Sequence, residues 1–209
     1  MNNFELVVAH FNESLDWLRD VTIVATVYHK GGDSTFARQL PNTGREAHTY
    51  LTHIYENYAN LADYTIFCQG RSQDHCPDII SILQKTIQHG KPDDTNVFND
   101  NIFLLCQTPS LLYNDRDGLP HMYPPIDVGA ESDRLFDSVL ESFPFTPGAQ
   151  FIVPKENILS RSKEFYKQCL LANWEYNPMN LGISFGGPMA CVYERLWLTI
   201  FNKQIPAKY

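Results

Sequence analysis

The chain has 209 residues, a formal charge of −8 from 16 basic and 24 acidic side chains, and abundant aromatics with 13 Phe, 11 Tyr and 3 Trp. That length suits one substantial domain over residues 1–209, and the acidity argues against a broad phosphate-backbone surface, so no nucleic-acid partner is expected. Five irregularly spaced cysteines form no Cys-x-x-Cys pair, no apolar run reaches the roughly 18–20 residues of a membrane helix, and no signal-peptide pattern opens the chain, so a soluble cytoplasmic protein without a zinc ribbon is expected.

Phe4 to His10 holds four consecutive apolar residues, too short a run for a helix, and reads as a buried strand. Asn12, Glu13 and Ser14 supply a helix start ahead of Leu15, Trp17 and Leu18. Val21 to Tyr28 is rich in β-branched residues and predicts a second strand, ending at His29-Lys30. Gly44 then opens a helix from Arg45 to Asn57, with Tyr50, Leu51 and Ile54 on its core side. His48 and Thr52 share one helix face, as do Thr49 and His53, and that face is expected toward a cleft. A strand from Tyr64 to Cys68 and a loop from Gln69 to Cys76 follow, and Pro77 takes the first helical position ahead of Ile79, Ile80, Leu83 and Ile87. Asn101 to Gln107 predicts a fourth strand, where Cys106, like Cys68, reads as a small buried hydrophobe.

This alternation predicts an α/β fold: a Rossmann-type, mostly parallel central sheet with helices on both faces. Ligands of such sheets bind beyond the carboxyl ends of the strands, which singles out His10 to Glu13, His29-Lys30, Gln69 to His75, and Thr108 onward. Thr108 to Gly129, rich in Pro, Gly, Tyr and Asp, predicts a long loop of the kind that serves as a lid or substrate wall. The remaining elements are a helix over Glu131–Phe143, a strand over Gly148–Val153, a helix over Lys155–Ala172, a polar stretch from Asn173 to Gly187, and a last helix over Met189–Phe201.

The segment Leu40-Pro-Asn-Thr-Gly-Arg-Glu-Ala-His-Thr-Tyr-Leu51 gathers Asn42, Arg45, Glu46 and His48 at a helix mouth. Together with Val7-Val-Ala-His-Phe-Asn-Glu13, Tyr64-Thr-Ile-Phe-Cys-Gln-Gly70, His75, Gly148-Ala-Gln-Phe-Ile-Val153, Ile158-Leu-Ser-Arg161 and Glu194-Arg-Leu-Trp197, it resembles a family of small domains of formerly unknown function. Those domains occur in fungi, algae and large DNA viruses and are similar to GT-A glycosyltransferases. The resemblance spans about residues 4–202 and implies a GT-A-like fold and sugar transfer, of the hexosyl or deoxyhexosyl type. It implies a nucleotide-sugar donor (UDP-linked), a glycan or glycoprotein acceptor, and a divalent cation (Mn²⁺ or Mg²⁺) at the diphosphate.

Carried onto this sequence, the resemblance points to His10, Asn12, Glu13, Lys30, Asn42, Arg45, His48 and Gln69 for the donor nucleotide, with helix capping the competing role for Asn12 or Ser14 and a solvated turn for Lys30. Arg45 is the favoured phosphate contact, because a guanidinium fork matches phosphate oxygens in pairs. Where a GT-A enzyme carries an Asp-x-Asp after its central strand, this chain reads Gln69-Gly-Arg-Ser-Gln-Asp-His75, leaving Asp74 and His75 as metal ligands. Asp115-Arg-Asp117 is either a second metal candidate or an ordinary turn. Glu194, Arg195 and Glu46 are the catalytic candidates, with Glu194 either a general base or one half of a structural ion pair with Arg195. Trp174, Tyr176 and Trp197 are either sugar platforms or core residues. Two other readings stay open: a binding module of the same fold without transfer, and a hydrolase using Asp74, His75 and Glu194.

Overall fold

A computed structural model describes residues 2–32, 35–93, 97–99, 101–105, 112–116, 127–175 and 188–209. The expected α/β sheet is present, with seven strands in the order β3-β2-β1-β4-β9-β6-β5. β1 (Phe4–His10), β2 (Ala25–His29), β3 (Arg38–Gln39) and β4 (Tyr64–Gln69) are mutually parallel. β9 (Phe151–Pro154) runs against both β4 and β6 (Ile102–Leu104), so β6 points with the first four, and β5 (Val97–Phe98) closes the edge antiparallel to β6. The sheet is therefore mostly parallel, with one reversed strand inserted at its centre. Leu6, Val7 and Val8 alternate between the two faces and all are fully buried, which is why β1 reads as a continuous apolar run.

Val7, Phe67, Phe151 and Val153 face α1 (Arg45–Asn57), α5 (Lys163–Glu175) and α6 (Pro188–Ile200). There Trp197 stacks on Phe201 (5.5 Å, 12°) and leans on Tyr50 and Phe151. Leu6, Val8, Ile66, Cys68 and Ile152 face a short 3-10 turn carrying Trp17 and α2 (Ile79–His89). Helical cover on both faces agrees with the sequence. Trp197 is thus a core ring, Trp174 stands exposed at 52 % on α5, and Tyr176 lies outside the described residues. Cys68 is the expected buried hydrophobe, its thiol pushed up to about 12 by burial, while Cys106 lies outside the described residues. Among the described residues no helix is long and apolar enough to cross a membrane.

Several boundaries are corrected. After β1 the chain makes the 3-10 turn Asp16–Asp20 rather than a helix capped by Asn12 or Ser14; Ser14 Oγ instead accepts the Asp16 N–H at 3.1 Å. β2 begins at Ala25, not Val21. α2 starts at Ile79 with Asp78 before it, so Pro77 stands outside the helix. The helix expected over Glu131–Phe143 is α3 (Val128–Leu135) followed by β8 (Ser142–Phe145). Phe136 leaves the helix because the C-terminal segment supplies its neighbours' backbone partners: Lys208 N–H donates to Leu135 O and Asp137 N–H to Pro206 O. The helix expected over Lys155–Ala172 breaks into α4 (Lys155–Ile158) and α5, where Ser162 Oγ caps the Phe165 N–H at 3.0 Å. Asp115 lies on strand β7 (Leu112–Asp115), paired with β8, and not in a loop; Asp117 and most of the predicted Thr108–Gly129 and Asn173–Gly187 segments lie outside the described residues.

Candidate active site

Three parallel strands end side by side, and the loops that leave them are closely interlocked. Glu13 folds back so that its carboxylate accepts the N–H groups of Phe11 (3.3 Å) and Asn12 (3.0 Å), while its carbonyl meets His10 Nε2 at 2.9 Å. Its side chain fills the space over Gly70, where a Cβ would stand 2.1 Å from Oε1. Asn12 Oδ1 occupies the space over Gly31 in the same way. Only glycine at these two positions lets the loops approach. His10 Nδ1 meets His29 Nδ1 at 2.9 Å, and Phe36 stacks on the His29 ring at 4.5 Å.

After β4 the chain is fixed by Gln150, a fully buried amide. Its Oε1 accepts from the Gln69 N–H (3.2 Å) and from Ser72 Oγ, and its Nε2 donates to Ser72 O at 3.0 Å. This holds the Gln69–His75 loop against the start of β9. Gln69 Nε2 donates to Gly148 O at 2.9 Å, and the His75 ring lies over the Gly148 Cα, where a Cβ would be 2.5 Å from Cγ. Gly148 has φ +86° and Ala149 φ +49°, a left-handed turn that leaves the Gly148 N–H free to donate to Glu194 Oε1 at 2.9 Å. One residue thus gathers Gln69, His75 and Glu194.

α6 brings Glu194 here as half-buried carboxylate with its neighbour attached. Arg195 Nη1 donates to Glu194 Oε2 at 2.6 Å and to Cys191 O at 2.9 Å, with its guanidinium 4.7 Å over the Phe145 ring. The Arg195 Nε N–H is buried without an acceptor among the described residues. Across from Glu194 is the mouth of α1. Burial raises the Glu46 carboxyl above its ordinary value; Arg45 and Lys30 pull it down and Glu194 adds to the rise, which puts the two carboxyls within electrostatic reach of each other. Arg45 and Asn42 are exposed on this rim.

α1 has no side-chain cap: Gly44 at its N-cap is left-handed (φ +58°), with Asn173 Oδ1 packed on it. Among the described residues, Thr43 Oγ1, His48 Nδ1 and Asn173 Oδ1 are all buried at this end without a hydrogen-bond partner. Buried polar atoms rarely go unpaired, so three of them together make this helix mouth a costly place in the fold. Lys30 is buried beneath, with Nζ donating to Thr43 O (2.7 Å) and Arg45 O. His48, with Thr49, Thr52 and His53, is turned into the protein rather than toward an open cleft, and burial, with the Lys30 charge second, lowers its imidazole to about 3. His53 is structural, 3.3 Å from Glu5 and 3.2 Å from the Tyr28 hydroxyl.

Asp74 and His75 are adjacent and exposed, with Asp74 3.8 Å from Arg71. They are oxygen and imidazole donors of the kind a divalent cation accepts. Among the described residues no three His, Cys, Asp or Glu side chains are grouped to hold a metal ion.

Sequence reasoning reached the strand ends, with His29 and the Gln69–His75 loop that holds Gly70 and Ser72, as well as Glu194 and the α1 mouth, but it missed Gln150 and Gly31 and did not foresee that Gly70 is filled by Glu13. Gly70 directly follows β4 and Gly31 stands two residues beyond β2, and those positions were the available signal. Gln150 gave none, since a polar residue between Ala149 and Phe151 looks like any strand opening.

A family model described as "Protein of unknown function (DUF3431)" matches residues 6–93. No curated protein and no solved structure matches the chain. Over β1, α1, β4 and α2, the chain is similar to a family whose own description assigns no activity.

Proposed function

We propose that this chain is a GT-A-type glycosyltransferase domain that moves a sugar from a UDP-linked donor to a hydroxyl of a glycan or glycoprotein. The observation that carries this reading is the convergence of Glu194, His75 and Gln69 on the Gly148 turn, opposite Arg45 and Glu46 at the uncapped mouth of α1. It lies beyond the carboxyl ends of parallel strands, where α/β sheets bind anionic ligands.

In the reaction, the acceptor oxygen bonds to the anomeric carbon as the bond from that carbon to the diphosphate breaks, and the acceptor proton passes to Glu194. A carboxylate has about four lone-pair sites, so the Gly148 and Arg195 bonds leave room for that proton. Arg45 meets phosphate charge, and Glu46, whose carboxyl holds a proton more readily than usual, bonds a donor hydroxyl. His10, Asn12 and Glu13 shape the nucleobase edge through the loop they brace. Asp74 and His75 would hold the divalent cation, Mn²⁺ or Mg²⁺, which when bound offsets the growing charge on the leaving diphosphate. Buried thiols such as Cys68 and Cys169 suit a reducing compartment such as the cytoplasm.

One feature favours a nucleotide-binding module without transfer: both Glu194 oxygens are already engaged. Thermal melts against UDP, GDP, CMP and Mn²⁺, singly and together, test binding. A ligand at a hundred times its Kd adds about 2.7 kcal/mol, hence a rise of roughly 5–10 °C, and UDP with Mn²⁺ is expected to give it. Slow release of UDP from UDP-sugars, abolished in folded Arg45→Ala and Glu194→Ala variants, then separates transferase from module. A flat response to every nucleotide rejects both.

A further inference from the structure

The buried amine of Lys30 bridges the two carbonyls on either side of Gly44. The chain crosses into α1 through two successive left-handed residues, Gly44 at φ +58° and Arg45 at φ +44°. For the second, which is not glycine, that conformation costs on the order of 1–3 kcal/mol, so the surroundings must impose it. The Thr43 N–H is tied to Pro41 O at 2.8 Å, and the Thr43 and Arg45 carbonyls both point inward onto Lys30 Nζ. Lys30 is itself anchored, its backbone N–H donating to His10 O at 3.0 Å at the end of the β1–β2 ladder.

We propose that Lys30 is a positioning residue whose ammonium holds the Thr43–Arg45 step, so aiming Arg45 and Glu46 at the Glu194 side of the cleft, and that loss of its proton loosens this hold. The neutral amine keeps two N–H donors but forfeits the charge, and charge-assisted bonds are roughly twice as strong as neutral ones.

The groups facing Nζ are Glu46 and His48 from α1, with His29 preceding it on β2, His10 beside it on β1, and Glu194 of α6 acting through Glu46. Burial lowers the Lys30 ammonium to about 7, against a pull upward from Glu46, so the change falls near neutral pH. The sign is opposite for the fold and for the step. Unfolded Lys30 holds its proton up to about 10.5, so its contribution to global stability rises as pH climbs from about 7 to 10.5, while the step into α1 loosens over the start of that window.

The role toward the donor rests on the transferase reading; the hold on the turn does not. In protein labelled at lysine Cε and backbone amides, Lys30 is expected to titrate near 7, with the amides of residues 43 to 47 shifting at the same midpoint. Titration near the ordinary lysine value, or midpoints that disagree, overturns the proposal, and this measurement needs no variant. UDP affinity with Mn²⁺ is expected to fall by up to about fivefold between pH 7 and 8, as the competent fraction falls, and Lys30→Arg, charged throughout, is expected to flatten that profile. A Lys30→Arg profile that superimposes on the native one removes the positioning role. Matching NMR midpoints without UDP binding at any pH leave the hold intact and sink the transferase reading instead.

Discussion

His48 shows how a single side chain carries the cost of the site's enclosure. The residue is 8 % exposed, Nδ1 has no partner among the described residues, and the nearby Lys30 charge further disfavours protonation. The unfolded imidazole takes a proton near 6.5 and the folded one only near 3. Unfolded chains therefore bind the extra proton between these values. The stability linked to His48 is complete above about pH 6.5 and is lost as pH falls toward 3. At roughly 1.4 kcal/mol per unit this amounts to on the order of 5 kcal/mol as an upper figure. His48→Phe, which removes the titrating group, is expected to shift the acid-unfolding midpoint, followed by tryptophan fluorescence, to lower pH. An unchanged slope of stability against pH between 3 and 6.5 would show that the ring is not shielded as the geometry requires.

At the scale of elements, the turn from β8 into β9 is the one on which the cleft depends. The Gly148 N–H reaches α6, its carbonyl reaches the end of β4, and its bare Cα receives the His75 ring. Gly148→Ala adds a methyl that cannot stay beside that ring, in a left-handed backbone that costs a side chain about 1–2 kcal/mol. Urea melts are expected to show a loss above that figure, and the excess should shrink when His75→Ala is added in a double-mutant cycle, the His75 Cβ at 2.9 Å from the new methyl keeping a remainder. Additive losses would mean that the ring moves aside freely. Sequence reading met its boundary at these same elements. β1, β4 and α1 were legible because buried parallel strands are continuous apolar runs and the core stripe of α1 keeps helical spacing. β9 was seen, but Phe151 to Val153 reads the same in either direction, so its antiparallel insertion was invisible. α3 and β8 merged into one expected helix because Leu135 and Val139 keep helical spacing, whereas the bonds that end α3 come from Pro206 and Lys208, about 70 residues away. The candidate residues were named one by one; that Gln69, His75 and Glu194 meet on Gly148 depends on a backbone angle that composition does not encode.

For the whole molecule, the segment that matches the family model runs from within β1 through β4, with α1 and α2, yet it lacks the partners that bury it. α1 packs on α5 and α6 as well as on β1. Tyr50 lies against Trp197 and Phe151, and Phe67 against Phe151 and Phe201. β4 owes one of its two neighbours to β9. The C-terminal end is anchored by Arg161, a buried guanidinium that donates to the carbonyls of Thr199, Ile200, Asn202 and Ile205 and lies over the Phe136 and Phe165 rings. Each large apolar side chain stripped of its cover forfeits about 1.5–3 kcal/mol, and a domain's net stability is only about 5–15 kcal/mol, so uncovering Val7, Tyr50, Leu51, Ile54 and Phe67 together exceeds what the fragment can withstand. Residues 1–93 expressed alone are therefore expected to show collapsed amide dispersion and no cooperative melt. In the full chain, Trp17 on the α2 face and Trp197 on the α6 face are expected to report one coincident transition in single-tryptophan variants. A fragment that melts cooperatively by itself, or two separated transitions in the full chain, would divide the molecule into independent halves and detach Glu194 from the strand ends it serves.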